Sequence, residues 1–205
     1  MIVVGCAASK GGVGKSTLTT ALGVAAAQDG LRTLLVDTDK QGSTRKWGSR
    51  REVEPQVMAW RLRDVPGWLE HCEQKGIDLV IIDFAGGDSV ALFDIFKRLD
   101  LVIVPTAPTL IEMEEVVPVM SAAKAAKLDA VVVITRVPRA NSLRVTRVMD
   151  ENRDDDSVAP QALTSLVAYP DAFAQGLGVT ETDPGSRAAT ELRTLLKYLI
   201  ARAKR

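Results

Sequence analysis

A glycine-rich segment near the N-terminus constrains the fold more strongly than any other feature of this sequence. Residues 9–17 read Ser-Lys-Gly-Gly-Val-Gly-Lys-Ser-Thr and lie between an apolar run and an Ala- and Leu-rich stretch. Glycines let the backbone turn tightly enough for successive N–H groups to point at a phosphate chain, and a following helix adds its positive N-terminal end. A Gly-rich turn with a chance lysine would not explain a strand before and a helix after. The segment therefore predicts a phosphate-binding loop.

The polar side chains of this loop predict its ligands. The Lys15 ammonium can reach the β- and γ-phosphates of a nucleotide, and the Ser16 hydroxyl can ligate Mg²⁺. The residues expected to hold the nucleotide here are Gly11, Gly12, Val13, Gly14, Lys15, Ser16 and Thr17.

Short apolar runs alternate with helix-like stretches along the chain. The runs predicted as buried strands are 2–7, 34–36, 79–82, 101–104 and 130–134. The stretches predicted as helices are 16–28, 43–51, 65–74, 90–98, 113–127, 142–152 and about 186–203. This alternation predicts an α/β fold with a mainly parallel sheet and helices on both faces. With no linker in view, residues 1–205 are expected to form a single P-loop domain.

Acidic residues follow two of the apolar runs. Asp37 and Asp39 come after the second run, and Asp83 comes after the third. Ligands of parallel sheets bind at the carboxyl ends of the strands, so these carboxylates are candidates for the metal environment or for orienting an attacking water. The alternative for the first pair is a turn that caps the next helix, with Ser43 as N-cap, and both roles can hold together.

Composition and charge exclude several classes of protein. Hydrophobic residues at 46% and charged residues at 25% fit a globular domain and exclude a disordered chain. Cys6 and Cys72 lack the spacing of a metal site and are expected to be buried thiols. The 26 basic and 26 acidic residues exclude a uniformly basic nucleic-acid binder, but not a locally basic face. No run approaches the ~20 apolar residues of a membrane helix, and we expect a cytoplasmic protein.

The loop sequence Lys-Gly-Gly-Val-Gly-Lys-Ser-Thr resembles the deviant Walker A motif of the ParA/MinD family of ATPases. Ser9 stands where an ordinary P-loop has glycine, and Lys10 adds a second lysine. The resemblance implies ATP and Mg²⁺ as cofactors and a homodimer that sandwiches two ATP molecules. It also implies that Lys10 reaches the nucleotide of the partner subunit, so that Lys10, Lys15 and Asp39 are the catalytic residues.

The same resemblance extends over nearly the whole chain. It implies that Asp39 acts on the attacking water, that Ser16, Asp37 and Asp83 form the metal environment, and that residues 84–87 are a flexible switch that senses the γ-phosphate. Arg136 would lie near the base, and residues 172–181 would form a late loop before the final helix. The chain is most like short ParA partition proteins, with no separate DNA-reading domain expected.

Basic residues are clustered in spite of the zero net charge. One stretch without acids carries Arg136, Arg139, Arg144 and Arg147. A second cluster comprises Arg193, Lys197, Arg202, Lys204 and Arg205, and a third comprises Lys40, Arg45, Lys46, Arg50 and Arg51. Each cluster is either a solvated face or a surface for DNA phosphates. The residues predicted to contact nonspecific double-stranded DNA are Arg136, Arg139, Arg144, Arg147, Arg193 and Lys197.

The resemblance leads to one main functional hypothesis and several alternatives. The main one is a nucleoid-associated ATPase for DNA partition or cargo positioning, released from DNA when a small adaptor or cargo protein stimulates hydrolysis. The alternatives are a MinD-like membrane regulator, an accessory ATPase of conjugation or T-DNA transfer, and a small-molecule P-loop enzyme. For the final helix, packing in the core is favoured over a membrane tether.

Overall fold

The computed structural model of the chain is built around a sheet of six strands that all pair in parallel. It describes residues 1–87, 92–109, 113–137, 156–165 and 167–205. The strands are β1 (Ile2–Cys6), β2 (Thr33–Asp37), β3 (Gln56–Ala59), β4 (Leu79–Asp83), β5 (Leu101–Thr106) and β6 (Ala130–Ile134). Their spatial order is β3-β2-β4-β1-β5-β6. The predicted α/β fold is confirmed.

Helices connect the strands and cover both faces of the sheet. They are α1 (Lys15–Gln28), α2 (Ser43–Gly48), α3 (Val65–Gln74), α4 (Phe93–Phe96), α5 (Val117–Ala125), α6 (Ala168–Ala174), α7 (Val179–Thr182) and α8 (Arg187–Ala203). A 3₁₀ turn spans Leu62–Asp64. On one face α1 and α8 pack in a core with the apolar side chains of the sheet, and on the other face α3, α4 and α5 do the same.

Three predicted helices are shorter than expected. The helix predicted over 43–51 ends at Gly48, where the backbone meets the edge of the sheet, since a Cβ at Gly48 would lie 2.5 Å from Val57 Cγ2. The helix predicted over 113–127 has α5 as its main part, which begins where Pro118 can occupy a first-turn position. Of the helix predicted over 90–98, the described residues form only α4. The helix predicted over 142–152 lies outside the described residues.

Strand register brings the ends of three strands into one row. Asp37 at the end of β2 and Asp83 at the end of β4 are direct register partners. Cys6, the last residue of β1, pairs with Asp83 from the other side. The glycine-rich segment follows shortly after Cys6, so it begins beside Asp83, with Asp37 one strand further along the sheet.

The final helix has its apolar face in the core. The leucines Leu192, Leu195, Leu196 and Leu199 are all buried, in the same core cluster as α1. This favours the packing interpretation of α8 over a membrane tether. Within the described ranges, no helix combines the length and the apolar character that crossing a membrane requires.

Candidate nucleotide-binding site

The glycine-rich loop joins β1 to α1 and owes its shape to two glycines with positive φ. Gly12 has φ 80° and Gly14 has φ 95°, values that side chains other than glycine rarely adopt. Gly14 is also the N-cap of α1, so the helix begins at Lys15 and directs its free N–H groups into the loop. The predicted strand–loop–helix arrangement is therefore present.

Lys15 lies inside the loop with its ammonium group held close to the backbone. Its side chain is only 8% exposed, and Nζ lies 3.5 Å from the carbonyl oxygen of Lys10. Beneath the loop, the buried Cys6 Sγ approaches the Lys15 carbonyl oxygen at 3.8 Å. Burial, together with the nearby charge of Asp83, raises the pKa of the Cys6 thiol to about 12. Cys6 is therefore a neutral packing group, as predicted from the sequence.

A polar cavity of about 600 Å³ opens above the loop. Its lining combines the loop with the turn after β2 and with single residues from distant segments. The lining residues are Ser9, Gly11, Gly12, Gly14, Lys15, Ser16, Thr17, Asp39, Gln41, Ser43, Gly86 and Phe173. Lys10 is exposed and is not among them, although it lies within the same loop. Of the predicted loop residues, Val13 is buried beneath the cavity rather than lining it.

Asp83, at the end of β4, has a fully buried carboxylate. One oxygen accepts a hydrogen bond of 2.7 Å from the Thr44 hydroxyl, whereas Oδ1 has no hydrogen-bond partner among the described residues. Burial raises the pKa of Asp83 to about 6, against the lowering effect of the Ser16 and Thr44 hydroxyls and of the Lys15 ammonium. A buried, unpartnered carboxylate oxygen near a hydroxyl is the oxygen donor set that Mg²⁺ prefers. Ser16 and Asp83 therefore fit the predicted metal environment.

Asp37 and Asp39 organise the turn after β2. The two oxygens of Asp37 accept backbone N–H bonds from Asp39 at 2.9 Å and Arg45 at 2.8 Å, and Asp39 accepts one from Gln41 at 2.9 Å. The prediction that this turn caps the next helix is thus confirmed, but the capping residues differ from the predicted one. The prediction of Ser43 as N-cap is wrong, because Gly42 occupies that position with φ 66° and the Asp37 carboxylate receives the amide of the first turn. The metal role of Asp37 stays a prediction.

The segment after β4 lies directly against the phosphate loop. A Cβ at Gly86 would stand 3.4 Å from both the Gly11 amide nitrogen and the Lys15 Nζ, so this residue is in van der Waals contact with the loop. Phe84, in contrast, is completely buried and meets the Phe96 ring edge-on at a centroid distance of 6.3 Å. The predicted switch is therefore anchored in the core at its first residue, and its mobility stays a prediction.

A second cavity, of about 360 Å³, adjoins the first and shares three loop residues with it. Its lining is Gly12, Gly14, Thr17, Leu18, Thr135, Arg136, Leu163, Thr164, Ser165, Val167, Tyr169 and Pro170. Arg136 lines this cavity and has φ 54°, and its predicted position near the base stays a prediction. The later lining residues were not predicted, and their only sequence signal is a Tyr-Pro pair in a stretch without periodicity. An apolar cavity beside a phosphate site has the character of a base pocket.

The predicted DNA-contacting residues are only partly described. Arg139, Arg144 and Arg147 lie outside the described residues. Lys197 is exposed on α8, and Arg193 donates a 2.8 Å hydrogen bond to the Pro184 carbonyl.

Two arginines of the basic clusters form contacts within the protein instead of facing solvent. The Arg51 guanidinium lies over the Trp47 ring at 4.6 Å and pairs with Glu181 at 3.1 Å, so its side chain is only 3% exposed. Arg202 is buried against Asp129, with both guanidinium–carboxylate distances at 2.7 Å. Neither guanidinium is available to a phosphate backbone, because each is already held by a carboxylate.

Comparison with known families supports a nucleotide-binding interpretation. The model of the CobQ/CobB/MinD/ParA nucleotide binding domain matches residues 4–178. That range contains the phosphate loop, both carboxylate turns and every residue lining the two cavities.

Individual relatives agree with this match. The chain is 34% identical over 112 residues to Protein ParA of Rhizobium radiobacter, covering 53% of this chain and 50% of that protein. It is 33% identical over 122 residues to the maintenance of carboxysome distribution protein A of Gloeobacter kilaueensis, covering 54% and 51%. The match thus spans about half the length of these curated relatives. The Mg-ADP complex of MinD from Pyrococcus horikoshii superimposes with a TM-score of 0.80 at 17% identity, over 97% of this chain and 95% of that one.

Proposed function

This chain belongs to the CobQ/CobB/MinD/ParA family of nucleotide-binding domains, and we propose that it is an ATPase whose ATP-bound dimer positions DNA or another cargo. The observation that carries the proposal is the different location of the two lysines of the phosphate loop. Lys15 is buried in the phosphate cavity, whereas Lys10 is exposed and does not line that cavity. Because Lys10 does not line the phosphate cavity of its own chain, its side chain is available to contact a nucleotide bound by a second subunit.

The phosphate cavity contains the groups that transfer of a phosphoryl group to water requires. Lys15 and the N–H groups of the loop bind the β- and γ-phosphates. Mg²⁺, held by Ser16 and Asp83, would neutralise charge on these phosphates when bound. Asp39 has one oxygen engaged by the Gln41 amide. Its other oxygen can accept a hydrogen bond from the attacking water and orient it in line with the γ-phosphate.

The composite site would make ATP a ligand for dimerisation. Each Lys10 would approach the γ-phosphate of the ATP bound by the partner subunit. Lysines of both chains would then neutralise the charge of each triphosphate. ADP lacks the γ-phosphate, and the dimer would separate after hydrolysis. ATP therefore acts as a switch between a monomer and a dimer, in addition to being the substrate.

The cargo is proposed from the relatives. One is a ParA protein and another maintains the distribution of carboxysomes. We propose a nucleoid-associated protein, with residues 1–205 as one ATPase domain, that holds nonspecific double-stranded DNA by contacts to phosphates. Such contacts become appreciable when dimerisation doubles the number of basic groups facing the DNA. A small adaptor or cargo protein would then stimulate hydrolysis and release the dimer.

The test compares the wild-type protein with the Lys10→Ala and Lys40→Ala variants. Light scattering after size exclusion measures the mass with ATP, with ADP and without nucleotide, and a gel-shift assay measures DNA binding under the same conditions. We expect a doubling of mass and a DNA shift with ATP alone for the wild type. Lys10→Ala should still bind nucleotide as a monomer but lose both responses.

Lys40→Ala is the matched control, because Lys40 is an exposed lysine outside the phosphate cavity. It should keep the ATP-dependent mass change. A Lys10→Ala variant that dimerises as well as the wild type would overturn the composite site. A wild-type protein whose DNA binding is the same with ATP and with ADP would overturn the switch.

A further inference from the structure

A buried carboxylate on α8 holds one wall of the base pocket in place. Glu191 is 7% exposed, and its Oε2 accepts the backbone N–H of Thr164 at 2.9 Å. Its Oε1 accepts the Thr164 hydroxyl at 2.7 Å and the Arg187 Nε–H at the same distance. Glu191 does not line the phosphate cavity, yet it holds the backbone N–H and the hydroxyl of a residue that lines the base pocket.

These contacts determine where the hydroxyl proton of Thr164 lies. Oε1 of Glu191 accepts from both the Thr164 hydroxyl and the Arg187 Nε–H, and Oε2 accepts from the Thr164 amide, so all three bonds have Glu191 as the acceptor. The Thr164 hydroxyl must therefore donate its single proton to Glu191. Its oxygen keeps a lone pair that is not used by Glu191, so toward the pocket Thr164 can act only as an acceptor.

Two other hydroxyl groups of the pocket also donate their protons to acceptors within the protein. The Tyr169 hydroxyl donates to the Ala188 carbonyl at 3.3 Å, and the Thr135 hydroxyl donates to the Thr106 carbonyl at 3.2 Å. Each of these three protons points into the protein rather than into the cavity. These three side-chain oxygens therefore present lone pairs, and not protons, to a ligand.

We propose that Glu191 sets the base selectivity of the nucleotide site by keeping Thr164 an acceptor. A purine with an exocyclic amino group can donate to that oxygen, as adenine does from its 6-position. A purine with a carbonyl in that place would bring two acceptors together at Thr164 and lose this hydrogen bond. The inference rests on the proposed function, because it assumes that this pocket receives the base.

The test measures the ratio of affinities for ADP and inosine diphosphate by titration calorimetry. The two nucleotides differ in the 6-substituent and in the N1 proton that accompanies it, and a diphosphate avoids hydrolysis. We expect the wild type to prefer ADP. Glu191→Gln can turn its amide toward Thr164 and release the hydroxyl proton into the pocket, which should reduce the preference by about three- to tenfold, the value of one net hydrogen bond.

Arg187→Gln is the matched control. It removes the other partner of Glu191 from the half-exposed side of the contact and leaves the Thr164 bonds in place, so the preference for ADP should stay. Thr164→Val and Thr164→Ser test the same point without changing α8. Valine should lose the preference and serine should retain it, which gives an answer even where Glu191→Gln does not fold.

The outcomes separate this inference from the proposed function. A wild type that binds neither diphosphate would overturn the proposed function and the inference with it. A wild type that binds both equally, or a preference for ADP that survives in Glu191→Gln and Thr164→Val, would overturn the inference alone. A uniform loss of affinity for both nucleotides in these variants, with the ratio unchanged, would assign Glu191 a purely structural role and also overturn it.

Discussion

The two cavities of the site are built in opposite ways. The phosphate cavity takes more than half of its lining from one contiguous loop, and its shape depends on glycine conformation and a helix N-terminus. Apart from the loop and first-turn residues Gly12, Gly14, Thr17 and Leu18, the base pocket is lined by Thr135, Arg136, Leu163, Thr164, Ser165, Val167, Tyr169 and Pro170. The first is a local motif, and the second is a product of the tertiary fold.

The chemistry of the two cavities differs accordingly. The lining of the phosphate cavity is mostly polar, and it includes the charged side chains of Lys15 and Asp39. In the base pocket, the wall is formed by apolar side chains such as Leu163, Tyr169 and Pro170 with a few fixed hydroxyl groups. We infer that the phosphate cavity supplies most of the binding free energy and that the base pocket supplies the selectivity. The contrast leads to three predictions, ordered by the size of their effect on nucleotide binding.

The largest effect is expected from Lys15→Ala. Removing the ammonium group takes a charge-assisted contact from the phosphates in a poorly solvated cavity, so affinity for ADP should fall by about 100-fold or more. Calorimetry should show the same loss for inorganic tripolyphosphate, because the phosphate cavity acts without the base. Lys10→Ala should retain affinity for both. Normal ADP binding by Lys15→Ala would show that the loop is not the phosphate site.

A smaller and more selective effect is expected from Ser165→Trp. Ser165 is an exposed residue on the lining of the base pocket, and an indole there would occupy space that the base requires. Affinity for ADP should fall by about tenfold, whereas affinity for tripolyphosphate should stay within a factor of two. Ser165→Ala is the control and should bind both like the wild type. An equal loss of both ligands in Ser165→Trp would mean that the two cavities are not independent.

The parts of the fold that could be predicted are those with a local signal. Buried parallel strands appear in the sequence as short apolar runs, and all five such runs are strands. The helix over Val65–Gln74 was predicted with its observed bounds, because its apolar face repeats at helical spacing. The phosphate loop and Asp83 were predicted for the same reason, since each directly follows an apolar run of the sequence.

The remaining parts depend on tertiary contacts that no local pattern records. The edge strand Gln56–Ala59 is largely exposed, and its short apolar segment 57–59 follows a charged stretch, so no local pattern predicts that it pairs with β2. Arg51 looks like a surface cation beside Arg50, yet Trp47 and Glu181 bury it. Likewise, the hydrogen bonds between Glu191 and Thr164 join residues that are 27 positions apart.

The smallest effect on nucleotide binding is expected at the far end of α8, where Arg202 pairs with Asp129. This helix carries Glu191 near the base pocket, but Arg202 lies more than two turns further along it. Replacing Arg202 with methionine removes a bidentate ion pair and leaves the charge of the Asp129 carboxylate without its arginine partner. Because Asp129 is 43% exposed, the loss in the free energy of unfolding should be only about 1–2 kcal/mol at neutral pH.

Urea unfolding at several pH values measures this loss and identifies its origin. The arginine lowers the pKa of Asp129, so the pair stabilises the folded state above the ordinary carboxyl pKa, and this contribution is lost as the pH falls through the lowered one. The difference between the wild type and Arg202→Met should therefore shrink in acid. Arg193→Met is the control, because Arg193 donates only to a backbone carbonyl among the described residues. If Arg202→Met weakened ADP binding as strongly as Ser165→Trp, α8 would transmit strain along its length, and the base pocket would depend on the whole helix rather than on Glu191.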